Sequence, residues 1–135
     1  MRAHIAAAVV VAFTIVGCTT LFTKPVSSKV AAACAHLPAV AQSACRESGD
    51  AIAKSYVLLT AINTTIMDNV KSEVWTREQG REYLVKSIDA REKLDRVYDV
   101  FTKGDYGTAL SQANITNLLI VALQKEIAAQ SRKAS

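Results

Sequence analysis

Residues 50–70 read DAIAKSYVLLTAINTTIMDNV, and this stretch decides the fold class. Its large apolar side chains recur at steps of three and four residues: Ile52, Tyr56, Leu59, Ile62, Ile66 and Val70. Such steps place one apolar stripe along an α-helix. Ser48-Gly49-Asp50 predicts where this helix begins. Asn63 lies beside the stripe, where an asparagine is solvated, bonded locally or able to specify a partner.

A second helix is predicted after Thr76-Arg77-Glu78-Gln79, which has the form of a capping box. Its buried stripe is expected to consist of Leu84, Ile88, Leu94, Tyr98 and Phe101. Its outer face places an acid four residues before a base in the pairs Glu82–Lys86, Asp89–Lys93 and Glu92–Arg96. Such pairs are typical of a solvated face. Lys103-Gly104-Asp105 predicts the end of this helix, with Asp105 capping the next one.

The third helix is predicted over residues 106–130, and residues 131–135 are expected to fray. It contains Leu118-Leu119-Ile120-Val121-Ala122-Leu123, six consecutive apolar residues, which is more than one face of a helix requires. Either the helix is packed on several sides, or another molecule covers part of it. The candidate residues for a protein partner or for self-association are Leu119, Ile120, Val121 and Leu123.

The first residues of the chain show a different pattern. Arg2 supplies a positive charge, and residues 5–16 (IAAAVVVAFTIV) are apolar apart from Thr14. As a helix this stretch would be about 18 Å long, too short for the ~30 Å hydrocarbon core of a bilayer. It is typical of the hydrophobic region of a secretory signal. At its end, Ile15-Val16-Gly17-Cys18 resembles the lipobox of bacterial lipoproteins.

The resemblance implies that residues 1–17 are removed and that Cys18 becomes a lipidated N-terminus. Two or more acyl chains would then anchor the protein stably to a membrane. Residues 18–28, which are rich in Thr and Ser, would form a tether. Thr19 after the cysteine implies the outer membrane of a bacterial cell envelope, with the domain facing the periplasm. The alternative is an uncleaved signal anchor, because residues 5–22 contain no charge.

Two further cysteines, Cys34 and Cys45, remain after this processing. In the oxidising compartment that export implies, a disulfide is the usual state of such a pair. A continuous helix would hold these Cα atoms about 16 Å apart, whereas a bridge requires roughly 4.4–6.8 Å. The chain must therefore turn at Pro38 and form a short helical hairpin over residues 29–48. The alternative is metal binding by Cys34, His36 and Cys45, for which no fourth ligand is recognisable.

These elements predict an all-α fold, a small three-helix up-down bundle over residues 49–130 preceded by a short disulfide-linked helical hairpin. Composition agrees, because five Gly and two Pro in 135 residues are too few for the many tight turns of an all-β domain. Only 6% of the residues are aromatic, so the core is expected to be aliphatic.

The sequence predicts a binding or structural module and not an enzyme. His36 is the only histidine after residue 17, and bridged cysteines are not nucleophiles. No cofactor and no small-molecule substrate is expected. The net charge of +4 comes from interleaved charges, which argues against nucleic-acid binding. Two functional classes remain, an envelope-anchored interaction module and a phage- or prophage-type envelope lipoprotein acting in superinfection exclusion or lysis.

Overall fold

The computed structural model describes residues 31–134, which form one short helix and three long ones. Helix α1 is described over residues 31–35 and is followed by α2 (Ala39–Lys71), α3 (Arg77–Thr102) and α4 (Tyr106–Ala134). Each long helix contacts the other two, and residues 31–134 contain no strand. The predicted all-α bundle is therefore confirmed. The predicted signal peptide (1–17), Cys18 and the tether (18–28) lie outside the described residues.

Helices α2 and α3 are antiparallel, as two hydrogen bonds between them show. The Ser87 hydroxyl donates to Asn63 Oδ1 at 2.6 Å. The Tyr56 hydroxyl donates to the Asp95 carboxylate further along α3. The later residue of α2 thus meets the earlier residue of α3. Asn63 is bonded within the bundle, and Ser87 is a buried polar side chain whose hydrogen bond is satisfied there.

Helices α2 and α4 are parallel, which completes the up-down-up topology. The Asn117 amide donates to Ser55 Oγ at 3.3 Å. Near the other end, the Asn69 amide donates to Ser131 Oγ at 3.0 Å. The second bond lies beyond Gln130, where the sequence predicted that the helix would end, and α4 extends to Ala134. The contact with α2 supplies a partner for this last part of the helix.

The predicted start of the first long helix at Ser48-Gly49-Asp50 is wrong, because α2 begins at Ala39 after Pro38 and passes through these residues. The Ser48 hydroxyl donates to the carbonyl of Ala44 at 2.8 Å and so satisfies itself inside the helix. The second arm of the predicted hairpin is therefore the first part of α2. Proline at the N-cap ends the preceding turn and leaves the following N–H groups free to start the helix.

The predicted disulfide is present between α1 and α2. Cys34 and Cys45 are bridged with their Cα atoms 5.7 Å apart, and both side chains are buried. The Leu37 N–H donates to the carbonyl of Cys34 at 3.3 Å in the turn that reverses the chain. Because both sulfur atoms are used in the bridge, neither is available as a thiolate ligand, and the alternative of a metal site with His36 is excluded in this state.

The buried stripe of α3 differs from the predicted one. Leu94 and Phe101 are buried as predicted, but Ile88 is half exposed and Leu84 and Tyr98 are only partly buried. The buried residues of α3 are Gly80, Ser87, Ala90, Leu94, Val97 and Phe101. In the first half of the helix the inward face is thus made of small residues. A Cβ atom built on Gly80 would overlap Val70 Cγ2, so the absence of a side chain allows α2 and α3 to approach closely.

The turns on either side of α3 follow the predicted end signals. The Thr76 hydroxyl accepts from the Gln79 N–H at 3.2 Å, and the Gln79 side chain accepts from the Thr76 N–H at 2.9 Å. Gly104 follows α3 with a φ of 86°, which favours glycine. Asp105 caps α4 through the Thr108 N–H at 3.1 Å. Hydrogen bonds from Thr108 hold the pKa of the Asp105 carboxyl below its usual range.

Candidate functional site

The apolar run in α4 divides into a buried and an exposed part. Ile120 and Leu123 are in the core, with 0% and 7% of their surface exposed. Leu119 is 47% exposed, and Val121 is partly buried. Because a helix turns about 100° per residue, six consecutive apolar residues must surround it, and only some can face the core. As candidate partner-binding residues, Ile120 and Leu123 are therefore wrong, whereas Leu119 and Val121 remain partly accessible.

Two residues that were not candidates extend the exposed part. Leu118 is 71% exposed and Ile115 is 58% exposed. Together with Leu119 and the exposed Ala122 they occupy successive turns on the outer side of the helix, and we call these four residues the α4 stripe. The sequence contained the signal for this division. Once Ile120 is placed in the core, counting about 100° per residue turns Ile115 and Leu118 outward.

The α4 stripe lies in a part of the helix without charge. From Tyr106 to Gln124 α4 contains no Asp, Glu, Lys or Arg. Its charged side chains, Lys125, Glu126, Arg132 and Lys133, all follow this segment. A solvated helix face is normally polar or charged, and a contiguous exposed apolar surface is typical of an interaction site. The α4 stripe is thus the best candidate functional site in the described residues.

The outer face of α3 is of the opposite kind. Two of its predicted pairs are present, Glu82–Lys86 at 3.5 Å and Asp89–Lys93 at 2.7 Å. Lys86 also binds Glu126 of α4 at 3.1 Å, and this carboxylate raises the pKa of the lysine. These side chains are largely exposed, so each pair contributes at most a few tenths of a kcal/mol, of the order ~0.5 kcal/mol. The α3 face is a solvated surface that contacts the edge of α4 through Lys86.

Few features of residues 31–134 suggest bound small molecules. His36 is exposed in the turn between α1 and α2. Within these residues, no three His, Cys, Asp or Glu side chains are grouped so that they could hold a metal ion. A groove beside the N-terminus of α3 is open to solvent and is lined by Thr76, Glu78, Gln79, Arg81, Glu82 and Val85. None of the helices in this part of the chain combines the length and apolarity needed to cross a membrane.

A polar contact on the opposite side of α3 has a titratable group at its centre. The Tyr56 hydroxyl binds Asp95, and the Arg91 guanidinium lies 5.1 Å from the centre of the Tyr56 ring. Arg91 also pairs with Asp95 at 3.3 Å. Burial raises the pKa of Tyr56 above its usual range, and the hydrogen bond and charge of Asp95 add to this effect. Ionisation of Tyr56 therefore opposes the folded state.

We expect the stability of the fold to decrease as the pH rises above the ordinary tyrosine pKa of about 10. The folded-state pKa of Tyr56 is raised, so its contribution is complete below that pH and is lost above it. Tyrosinate absorbance should show one of the four tyrosines ionising late, and Tyr56→Phe should remove this late part of the curve. An unchanged titration curve in Tyr56→Phe would contradict the assignment.

Comparisons of the chain with protein-family models, with curated proteins and with solved structures find no match.

Proposed function

We propose that the protein is a membrane-tethered bacterial lipoprotein that faces the periplasm and presents its helical bundle as a binding module. The lipid is attached to Cys18 at the end of Ile15-Val16-Gly17-Cys18. Residues 1–17 are removed as a signal peptide, and residues 18–28 separate the lipid from the bundle. Thr19 after the lipidated cysteine favours the outer membrane. No catalytic residue is assigned.

The observation that best supports export is the buried bridge between Cys34 and Cys45. Structural disulfides form and persist in oxidising compartments and are rare in the bacterial cytosol. The bridge also separates the cysteines into two chemical classes. Cys34 and Cys45 use their sulfur atoms on each other, which leaves Cys18 as the cysteine available for acylation.

The α4 stripe supports the binding role. Its leucine and isoleucine side chains are exposed to a degree that costs free energy in water, roughly 25 cal/mol for each Å² of apolar surface. Contact with another protein would remove this cost. The absence of charge from Tyr106 to Gln124 means that such a contact buries no unpaired ion.

Mass spectrometry of the membrane-associated protein tests the anchor. The wild type is expected to begin at Cys18 with an added lipid mass, and Cys18→Ala is expected to lose both this mass and the membrane association. The double variant Cys34→Ala/Cys45→Ala is the matched control, because it should keep the lipid and its membrane location. Retention of Arg2 in the mature protein would instead establish the uncleaved signal anchor and refute the lipid anchor.

A further inference from the structure

We propose that the α4 stripe is the contact surface of a homodimer, in which α4 of one protomer lies antiparallel to α4 of a second copy. The twofold axis passes between Leu118 and Leu119. The dimer rests on the binding role of the stripe proposed above and names its partner. It does not depend on the lipid at Cys18.

The sizes of the side chains are complementary about this axis. In an antiparallel pair centred between Leu118 and Leu119, each of these residues faces the other one of the second copy. Ile115, three residues before Leu118, then faces Ala122, three residues after Leu119. All four are exposed on the monomer. Opposition of a large and a small side chain allows two helices to approach to the usual 8–10 Å or so.

The charges at the ends of α4 are complementary about the same axis. Asp105 lies thirteen residues before Leu118, and Arg132 lies thirteen residues after Leu119. Both are exposed. The antiparallel pair therefore places each Arg132 opposite Asp105 of the second copy, and twofold symmetry forms this pair twice. Glu126, the carboxylate that follows the uncharged segment, already binds Lys86 of its own chain.

The parallel arrangement lacks this complementarity. It would place Lys125, Arg132 and Lys133 beside the same residues of the second copy, and like charges side by side oppose association. It would also place Ile115 against Ile115 and Ala122 against Ala122, so that large side chains collide at one level and leave a gap at another. The distribution of both size and charge along α4 thus favours the antiparallel pair.

Cysteine cross-linking of the full-length chain in its membrane tests the dimer. Leu118→Cys lies near the axis and is expected to form a covalent dimer on mild oxidation, seen by electrophoresis without reductant. Val85→Cys is the matched control, because Val85 is 60% exposed but lies on α3, and it is expected to remain monomeric. Absence of the Leu118→Cys dimer, or equal cross-linking by Val85→Cys, would overturn the proposal.

Ser111→Cys distinguishes the two directions of α4. In the antiparallel pair the two copies of residue 111 are fifteen helical positions apart, which is about 22 Å, and they are expected not to cross-link. In a parallel pair they would be neighbours, so a Ser111→Cys dimer would refute the antiparallel arrangement.

Charge reversal tests the pairing at the ends. Arg132→Asp is expected to reduce Leu118→Cys cross-linking severalfold, because it faces Asp105 of the second copy. Asp105→Arg added to Arg132→Asp is expected to restore it, and failure of this restoration would refute the assigned pair. The same cross-linking in Cys18→Ala separates the two proposals. A dimer that persists after release from the membrane supports the α4 contact, whereas retention of Cys18→Ala at the membrane refutes the lipid anchor alone.

Discussion

Replacement of Ile120 by alanine is expected to lower the free energy of unfolding by about 2–5 kcal/mol. Ile120 is fully buried and belongs to the cluster of apolar residues that joins the three long helices. The shorter side chain leaves a cavity that the surrounding helices can close only in part. Urea unfolding followed by circular dichroism measures the loss, at a protein concentration at which the chain sediments as a monomer.

Leu118→Ala is the matched control for this experiment. Leu118 belongs to the same apolar run of α4 but is 71% exposed. Its truncation in the monomer removes few contacts, so the free energy of unfolding is expected to change by no more than about 0.5 kcal/mol. Equal losses in Ile120→Ala and Leu118→Ala would contradict the division of the run into a core part and a surface part.

Removal of the disulfide is the second large effect. Cys34 and Cys45 are eleven residues apart in the sequence, and closing a loop of this size removes conformational entropy from the unfolded chain. In the chain-entropy description the double variant Cys34→Ala/Cys45→Ala loses about 3 kcal/mol of stability. Hydrogen exchange is expected to rise most in residues 31–38, because α1 then lacks its covalent attachment to α2.

Reduction of the wild type provides the control for this variant. Reduced wild type and the double variant lack the same bridge, so their urea midpoints are expected to agree and to lie below that of the oxidised wild type. An oxidised and a reduced protein with equal midpoints would show that the bridge does not constrain the unfolded chain.

The elements whose signals are local were predictable. Thr76 and Gln79 cap α3 as the sequence indicated, and Gly104 ends it. A capping box needs only residues within one turn, and a left-handed position needs only a glycine. The stripe of α2 was also predictable from Ile52 to Ile66, because large aliphatic side chains at helical spacing leave no other face to bury.

The inward face of α3 could not be predicted from its own residues. Ile88 is more apolar than Ser87, yet Ser87 is buried and Ile88 is half exposed. The difference arises from the neighbours of these residues. Asn63 of α2 satisfies the Ser87 hydroxyl, and Gly80 admits Val70. Periodicity within one helix contains no information about which small or polar residues a second helix will accommodate.

By itself the sequence determined that the chain forms helices, where α3 begins and ends, and which two cysteines are bridged. It is also the whole basis for the proposed lipid on Cys18. Only the tertiary structure decided that α2 continues through Gly49, that small residues line the inner face of α3, and that Ile115 and Leu118 face outward on α4. Caps and turns depend on residues within a few positions, whereas burial depends on side chains that are distant in the sequence and meet only when the helices pack.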